Sequence, residues 1–162
     1  MARFAISLLA LLVLASYASA TTLEEVCKGT TNATYCVKLL QPTVMPDTDF
    51  NSTLWHKMVI SRAVTRAMMA KDFMARLPNV PKENTAALSA CAHKLRQSIK
   101  LLREAAAEYG VGPANVTGTL DRVSAFQNAC SGLLKDVGAA MEQVRVHANE
   151  AAAATYIAKD LI

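Results

Sequence analysis

No run of about eighteen apolar residues occurs in the 162-residue chain, which leaves no candidate for a membrane-spanning helix. There is no Gly-X-Ser-X-Gly, no phosphate loop and no His-Glu-X-X-His, so the commonest hydrolase, nucleotide and zinc-protease readings lack their residues. Period-two alternation, internal repeats and biased linkers are missing as well, and with them any strand, solenoid or disordered spacer. The excess of positive charge is small. It is a formal +4, or +3 once Arg3 is discounted, too weak for a surface that binds a phosphate backbone.

What the chain does hold is helical spacing. From Ala86 to Tyr109 the apolar residues fall at Leu88, Cys91, Leu95, Ile99, Leu102, Ala106 and Tyr109, in steps of three and four. This spacing predicts one buried stripe on an α-helix, capped by Asn84 or Thr85. Upstream, a helical run from Asp49 or Asn51 to about Arg76 places Trp55, Met58, Val59, Ala63, Ala67, Ala70 and Met74 on a broad face. Several of the seven methionines lie in this run and suggest an adaptable core. Leu77-Pro78-Asn79-Val80-Pro81 stops it, because two prolines cannot continue a helix. Gly110-Val111-Gly112-Pro113 is expected to end the second helix and open a third, with the stripe Leu120, Val123, Gln127, Cys130, Leu134 and Val137. Gly138 is the one break expected before a fourth, narrow, alanine-rich stripe of Met141, Val144, Ala148, Ala152, Thr155 and Ala158. Near the start, Leu23 to Lys28 and Thr34 to Leu40 make two short helical pieces separated at Gly29.

Residues 1–20 read as a signal peptide: Arg3, an apolar run from Ala5 to Ala15, then Ala18-Ser19-Ala20 as a cleavage site. The mature chain, 21–162, is then secreted, with a hairpin over 21–46 and a bundle over 47–162. Its four cysteines, Cys27, Cys36, Cys91 and Cys130, form two disulfides in that oxidising setting, with three pairings open. Helical depth chooses among them. Cys91 lies eighteen residues before Tyr109 and Cys130 seventeen after Pro113, so antiparallel helices bring them level, and Cys27–Cys36 remains. Three sequons, at Asn32, Asn51 and Asn115, mark glycosylation sites of an exported chain. The fold expected is all-α: an antiparallel four-helix bundle with a short N-terminal helical hairpin, stapled by two disulfides.

Catalytic candidates are poor. With every cysteine bridged none is a nucleophile, and the metal-like fragment Cys91-Ala92-His93 splits between core and surface. No carboxylate partner is expected for His56 or His147 at helical spacing, and Glu104 and Glu108 lie on a solvated face. The one surface feature with direction is Arg96, Lys100 and Arg103, spaced four and three residues along the organising helix, with Lys94 on a different face. They form a basic ridge suited to an acidic protein cleft.

The hairpin carries the most specific likeness. Cys27-Lys28-Gly29-Thr30-Thr31-Asn32-Ala33-Thr34-Tyr35-Cys36 resembles the Cys-x8-Cys segment of the plant invertase/pectin methylesterase inhibitors, with threonine three after the first cysteine and an aromatic before the second. Val37-Lys38-Leu39-Leu40 continues it, Ala87-Leu88-Ser89-Ala90-Cys91 is similar to that family's third-cysteine motif, and Cys130 stands where a fourth is expected. The resemblance implies a four-helix bundle with a helical hairpin, and cysteines paired first to second and third to fourth. It also implies a secreted protein, not an enzyme and free of cofactor or metal, that covers the active-site cleft of a cell-wall or vacuolar enzyme. Departures from the family pattern are Leu95 for a tyrosine, Asp121-Arg122-Val123-Ser124 for Ser-Ala-Ala-Leu, Ala129 for a threonine, and Ser131-Gly132 for acidic residues. Invertase inhibitors often carry Pro-Lys-Phe between the second and third long helices, where this chain has Gly110-Val111-Gly112-Pro113-Ala114. That points to pectin methylesterase as the partner. The alternatives are acid invertase (beta-fructofuranosidase), or a secreted bundle that inhibits nothing and holds a small apolar ligand. Neither nucleic acid nor membrane is an expected partner.

Overall fold

Thr22 opens the first helix with a reciprocal cap. Its Oγ1 accepts from the Glu25 N–H at 3.2 Å, and Glu25 Oε2 accepts from the Thr22 N–H at 3.0 Å. The computed structural model describes residues 22–41, 52–109, 114–135 and 141–162. Six helices lie within them: α1 Leu23–Lys28, α2 Ala33–Leu40, α3 Ser52–Ala75, α4 Lys82–Glu108, α5 Ala114–Leu133 and α6 Glu142–Asp160. The expectations placed on residues 1–20, Asn51, Gly110 to Pro113, Val137 and Gly138 fall outside the described residues.

Gly29 caps α1, and Asn32 caps α2 by accepting the Tyr35 N–H on Oδ1 at 3.0 Å. The bridge Cys27–Cys36, with Cα atoms 5.6 Å apart, closes this hairpin. Buried Leu39 and Leu40 seat it on the bundle. Thr31 donates both its N–H and its hydroxyl to Asp160 at the far end of α6, at 2.7 and 2.5 Å, and the Tyr35 hydroxyl donates to the Glu150 carbonyl at 3.1 Å.

The long helices pack in a ring, α3 on α4, α4 on α5, α5 on α6 and α6 back on α3, with the most extensive contact between α4 and α5. Their apolar stripes meet at the centre: Trp55, Val59, Ala63, Ala67, Ala70 and Met74 from α3; Leu88, Cys91, Leu95, Ile99 and Leu102 from α4; Leu120, Val123 and Cys130 from α5. Cys91 and Cys130 are bonded there with Cα atoms 4.4 Å apart, bolting the two helices mid-core.

Two expectations need correcting. The fourth stripe is broad, not narrow: Ala151, Ala154 and Ile157 are buried along with Val144, Ala148, Thr155 and Ala158, because α6 packs on α3, α5 and the hairpin together. Neither Asn84 nor Thr85 caps α4. The chain enters that helix straight from Pro81, held at φ −56° and ψ 141°, with no side-chain cap. Its carbonyl takes the Asn84 N–H at 2.9 Å and the Thr85 hydroxyl at 3.3 Å. Proline's fixed φ suits that entry without a capping side chain. The turn before it passes through Asn79 at φ 55°, a left-handed position that asparagine tolerates better than most residues.

Candidate functional site

The ridge on α4 stands beside a furrow. Arg96, Lys100 and Arg103 line one wall of a cavity of about 550 Å³, and Met68 and Lys71 of α3 line the other, over a floor that includes Ile99. A second cavity of about 390 Å³ shares Lys71 and Arg96 and extends the furrow towards the α3–α4 turn. That end is mainly apolar, built from Met74, Val80, Leu88 and Ala92. The seam between α3 and α4 is thus continuous, greasy at the turn end and cationic at the other.

Both walls are tied into the bundle. The buried residues Met74, Leu88 and Ile99 continue from the furrow into the core, so its floor is the outer edge of the bundle's packing. The disulfide at Cys91 holds α4 against α5 from behind. Residues 96, 100 and 103 project together because steps of four and three return to one side of a helix.

Pairing sets the charge that remains. Lys100 Nζ lies 3.9 Å from Glu104 Oε1 with both side chains well exposed, so this contact neutralises weakly. Lys71 Nζ lies 2.8 Å from Asp72, and its hydrogen bond holds the Asp72 carboxyl below the ordinary aspartate value. Arg103 Nη2 reaches the Met68 sulfur at 3.5 Å, tying α4 to α3 across the furrow. Among the described residues neither Arg96 nor Arg103 has a carboxylate partner. Lys94, on the opposite flank of α4, stands 5.0 Å over the Phe126 ring of α5 and belongs to the α4–α5 packing. His93 is exposed and does not line the furrow.

The remaining candidates are dispersed. Asn32 is exposed on the hairpin, Asn115 lies in the first turn of α5, and Asn51 is outside the described residues. Contrary to expectation, His147 does have a carboxylate at helical spacing. Its Nδ1 is 3.6 Å from Glu150 Oε2, which also pairs with Arg66 Nη1 at 3.0 Å. His147 also packs on the Phe73 ring at 5.1 Å, so the group is a tie between α3 and α6. His56 accepts the Tyr109 hydroxyl proton on Nδ1 and donates from Nε2 to the Leu161 carbonyl, which joins the start of α3 to the ends of α4 and α6. Burial pushes its pKa down, against the smaller opposing effect of the Leu161 carbonyl. Among the described residues no three His, Cys, Asp or Glu side chains gather as a metal site, and no helix is long and apolar enough to cross a membrane.

A family model described as plant invertase/pectin methylesterase inhibitor matches residues 21–160. The chain belongs to that family. It is therefore an inhibitor of the pectin methylesterase/invertase type, in a family whose members are inhibitors rather than enzymes and are typically extracellular. Solved structures agree on the fold. A mutant form of a pectin methylesterase inhibitor from Arabidopsis superposes with a TM-score of 0.74 at 16% identity, covering 86% of this chain and 93% of that one. A pectin methylesterase inhibitor from Arabidopsis thaliana gives 0.64 with the same identity and coverage. A comparison with curated protein sequences finds none that matches.

Proposed function

We propose that the protein inhibits a plant pectin methylesterase in the cell wall, as a reversible one-to-one complex in which the bundle lies across the active-site cleft and excludes substrate. The observation that carries this reading is the α3–α4 furrow. It offers apolar contact at one end and, at the other, cations of which Arg96 and Arg103 have no carboxylate of their own among the described residues. Such a surface suits the rim of an acidic cleft, where exposed charges govern encounter rate and salt dependence more than final affinity. The lack of a Pro-Lys-Phe run between α4 and α5 favours methylesterase over acid invertase as the target. Export of the chain after residue 20 and a glycan on its sequons fit the same setting.

The test is the secreted chain, residues 21–162, titrated separately against a plant pectin methylesterase and an acid invertase across several isoforms and mildly acidic to neutral pH. Inhibition of the esterase is expected. Inhibition of invertase alone would overturn the choice of target, and inhibition of neither would favour a bundle with another role. In the inhibited complex Lys100→Glu should slow association by roughly tenfold at low salt, with a smaller change in dissociation. An unchanged association rate would remove the ridge from the interface.

A further inference from the structure

A second basic groove runs along the other flank of α3. Between α2 and α3, Lys38, Arg62, Thr65 and Met69 line a cavity of about 230 Å³. An adjoining cavity of about 340 Å³ shares Arg62 and Thr65 and adds Lys57, Met58 and Ser61. Among the described residues no carboxylate lines either one. Arg66, at the back, is neutralised by Glu150, but among the described residues Lys38, Lys57 and Arg62 have no ion-pair partner. Arg62 Nε is buried without a hydrogen-bond partner, so the protein satisfies this guanidinium only in part. Among the described residues one carboxylate, Glu150 on Arg66, thus stands at this groove, against Asp72 and Glu104 among the cations of the furrow on the α4 side.

The lining narrows the kind of anion. Lys57 to Met69 is about 18 Å of helix, so a small ion would use only a fraction of it and an extended polyanion most of it. Between the cations stand the hydroxyls of Ser61 and Thr65. Thr65 is exposed and donates to the Ser61 carbonyl at 3.0 Å, which leaves its oxygen able to accept. Beside them Met58 is half-buried and Met69 is 45% exposed, giving pliable apolar surface. Carboxylates at intervals, hydroxyls and apolar ring faces are what an acidic sugar polymer presents. A run of acidic peptide offers carboxylates without the hydroxyls or the ring faces.

We infer that this groove binds polyuronate, the carboxylate-bearing form of pectin that removal of methyl esters produces. The inference rests on the proposed setting beside a pectin methylesterase, and it gives the chain a second contact there. The α3–α4 furrow meets the enzyme, while the α2–α3 groove holds the de-esterified polymer, so the inhibitor accumulates where the enzyme has already acted.

The test uses the secreted chain in buffer free of divalent cations, with binding to polygalacturonate, highly methyl-esterified pectin and poly-glutamate measured side by side and esterase inhibition measured in parallel. Polygalacturonate should bind best, and its affinity should fall by about tenfold or more between about 50 and about 200 mM salt, because several exposed charges act together. Lys38→Gln/Lys57→Gln, two exposed positions that leave the core untouched, should weaken polygalacturonate binding by roughly tenfold, and adding Arg62→Gln should weaken it further. Arg96→Gln/Lys100→Gln in the other furrow should leave it within about twofold. Unchanged binding in the Lys38/Lys57 variant, or equal binding of esterified pectin, would overturn the inference. Equal binding of poly-glutamate would make the groove a seat for acidic protein instead, and parallel loss of inhibition would make it part of the enzyme interface. Either result also overturns the inference. A chain that binds polygalacturonate but inhibits no esterase would retain this site and sink only the proposed target.

Discussion

Removing each disulfide in turn asks whether the bundle or the hairpin governs stability. The Cys91–Cys130 bridge closes 39 residues and the Cys27–Cys36 bridge closes 9. Chain entropy alone then assigns them about 3.9 and about 2.6 kcal/mol. Packing widens the gap. Cys91 and Cys130 sit fully buried where α4 and α5 make the most extensive contact in the bundle, so truncation to alanine also opens space there, worth about 1 kcal/mol more. The hairpin keeps other attachments: Thr31 to Asp160, Tyr35 to the Glu150 carbonyl, and the buried Leu39 and Leu40. Urea unfolding of Cys91→Ala/Cys130→Ala and of Cys27→Ala/Cys36→Ala, each purified from an oxidising host, should show the larger loss for the first pair. At the melting midpoint the entropy terms alone correspond to drops of about 8–16 °C against about 5–10 °C. Equal losses, or a larger loss for the hairpin pair, would refute the reasoning and make the hairpin an integral part of the cooperative unit.

Gln127 lies fully buried in the α5 stripe with neither side-chain polar atom bonded, so Gln127→Met should stabilise the fold by about 1–3 kcal/mol in thermal melts. A lower melting point would mean the amide is satisfied by buried water. The depressed pKa of His56 makes the folded state favour the neutral ring. The unfolded chain then binds the proton first, and stability should fall as pH drops through about 6.5 and level off below the lower folded value. Comparing urea midpoints at neutral and mildly acidic pH, His56→Gln should lose less than the parent; an equal loss would assign the effect elsewhere. Asn32 caps α2 through Oδ1 and so leaves its amide nitrogen free to carry a glycan. In a plant secretory host Thr34→Ala, which keeps the cap, should remove one glycan from the mass; no change in mass would mean that site is unused.

The fold was legible wherever a stripe faces a single direction. Leu88, Cys91, Leu95, Ile99 and Leu102 could be placed in the core from spacing alone. Ser98, Leu101 and Ala105 are buried beside that stripe, however, and Ala106 and Tyr109, expected in it, are only half-buried, because α4 packs on both α3 and α5. Helix α6 defeated the same reasoning. Its alanines at 151 and 154 are small enough to be buried against several neighbours at once, and a periodicity argument that looks for one seam sees only part of the contact. At α4's start the conventional capping residues drew attention from Pro81, whose backbone does the work without a side chain. The departures from the family pattern were legible as sequence but not as structure. Asp121 pairs with Lys159, Ser131 bonds Asn149 at 3.0 Å across α5 and α6, and Leu95 fills the core.

The site was half legible, for a related reason. Arg96, Lys100 and Arg103 share one helix, so their spacing exposes them, but a groove needs two walls. Met68 and Lys71 enter only when the ring order puts α3 beside α4. Charge follows the same logic. The chain's formal +4 says nothing of where the excess sits. In the furrow, Asp72 and Glu104 offset part of the basic wall. Lys38, Lys57 and Arg62 come from two helices, show no periodic signature together, and converge where, among the described residues, the one nearby carboxylate, Glu150, is taken by Arg66. The less conspicuous set in the sequence thus becomes the more cationic surface in the fold, because the local field depends on which opposite charges the topology brings within a Debye length.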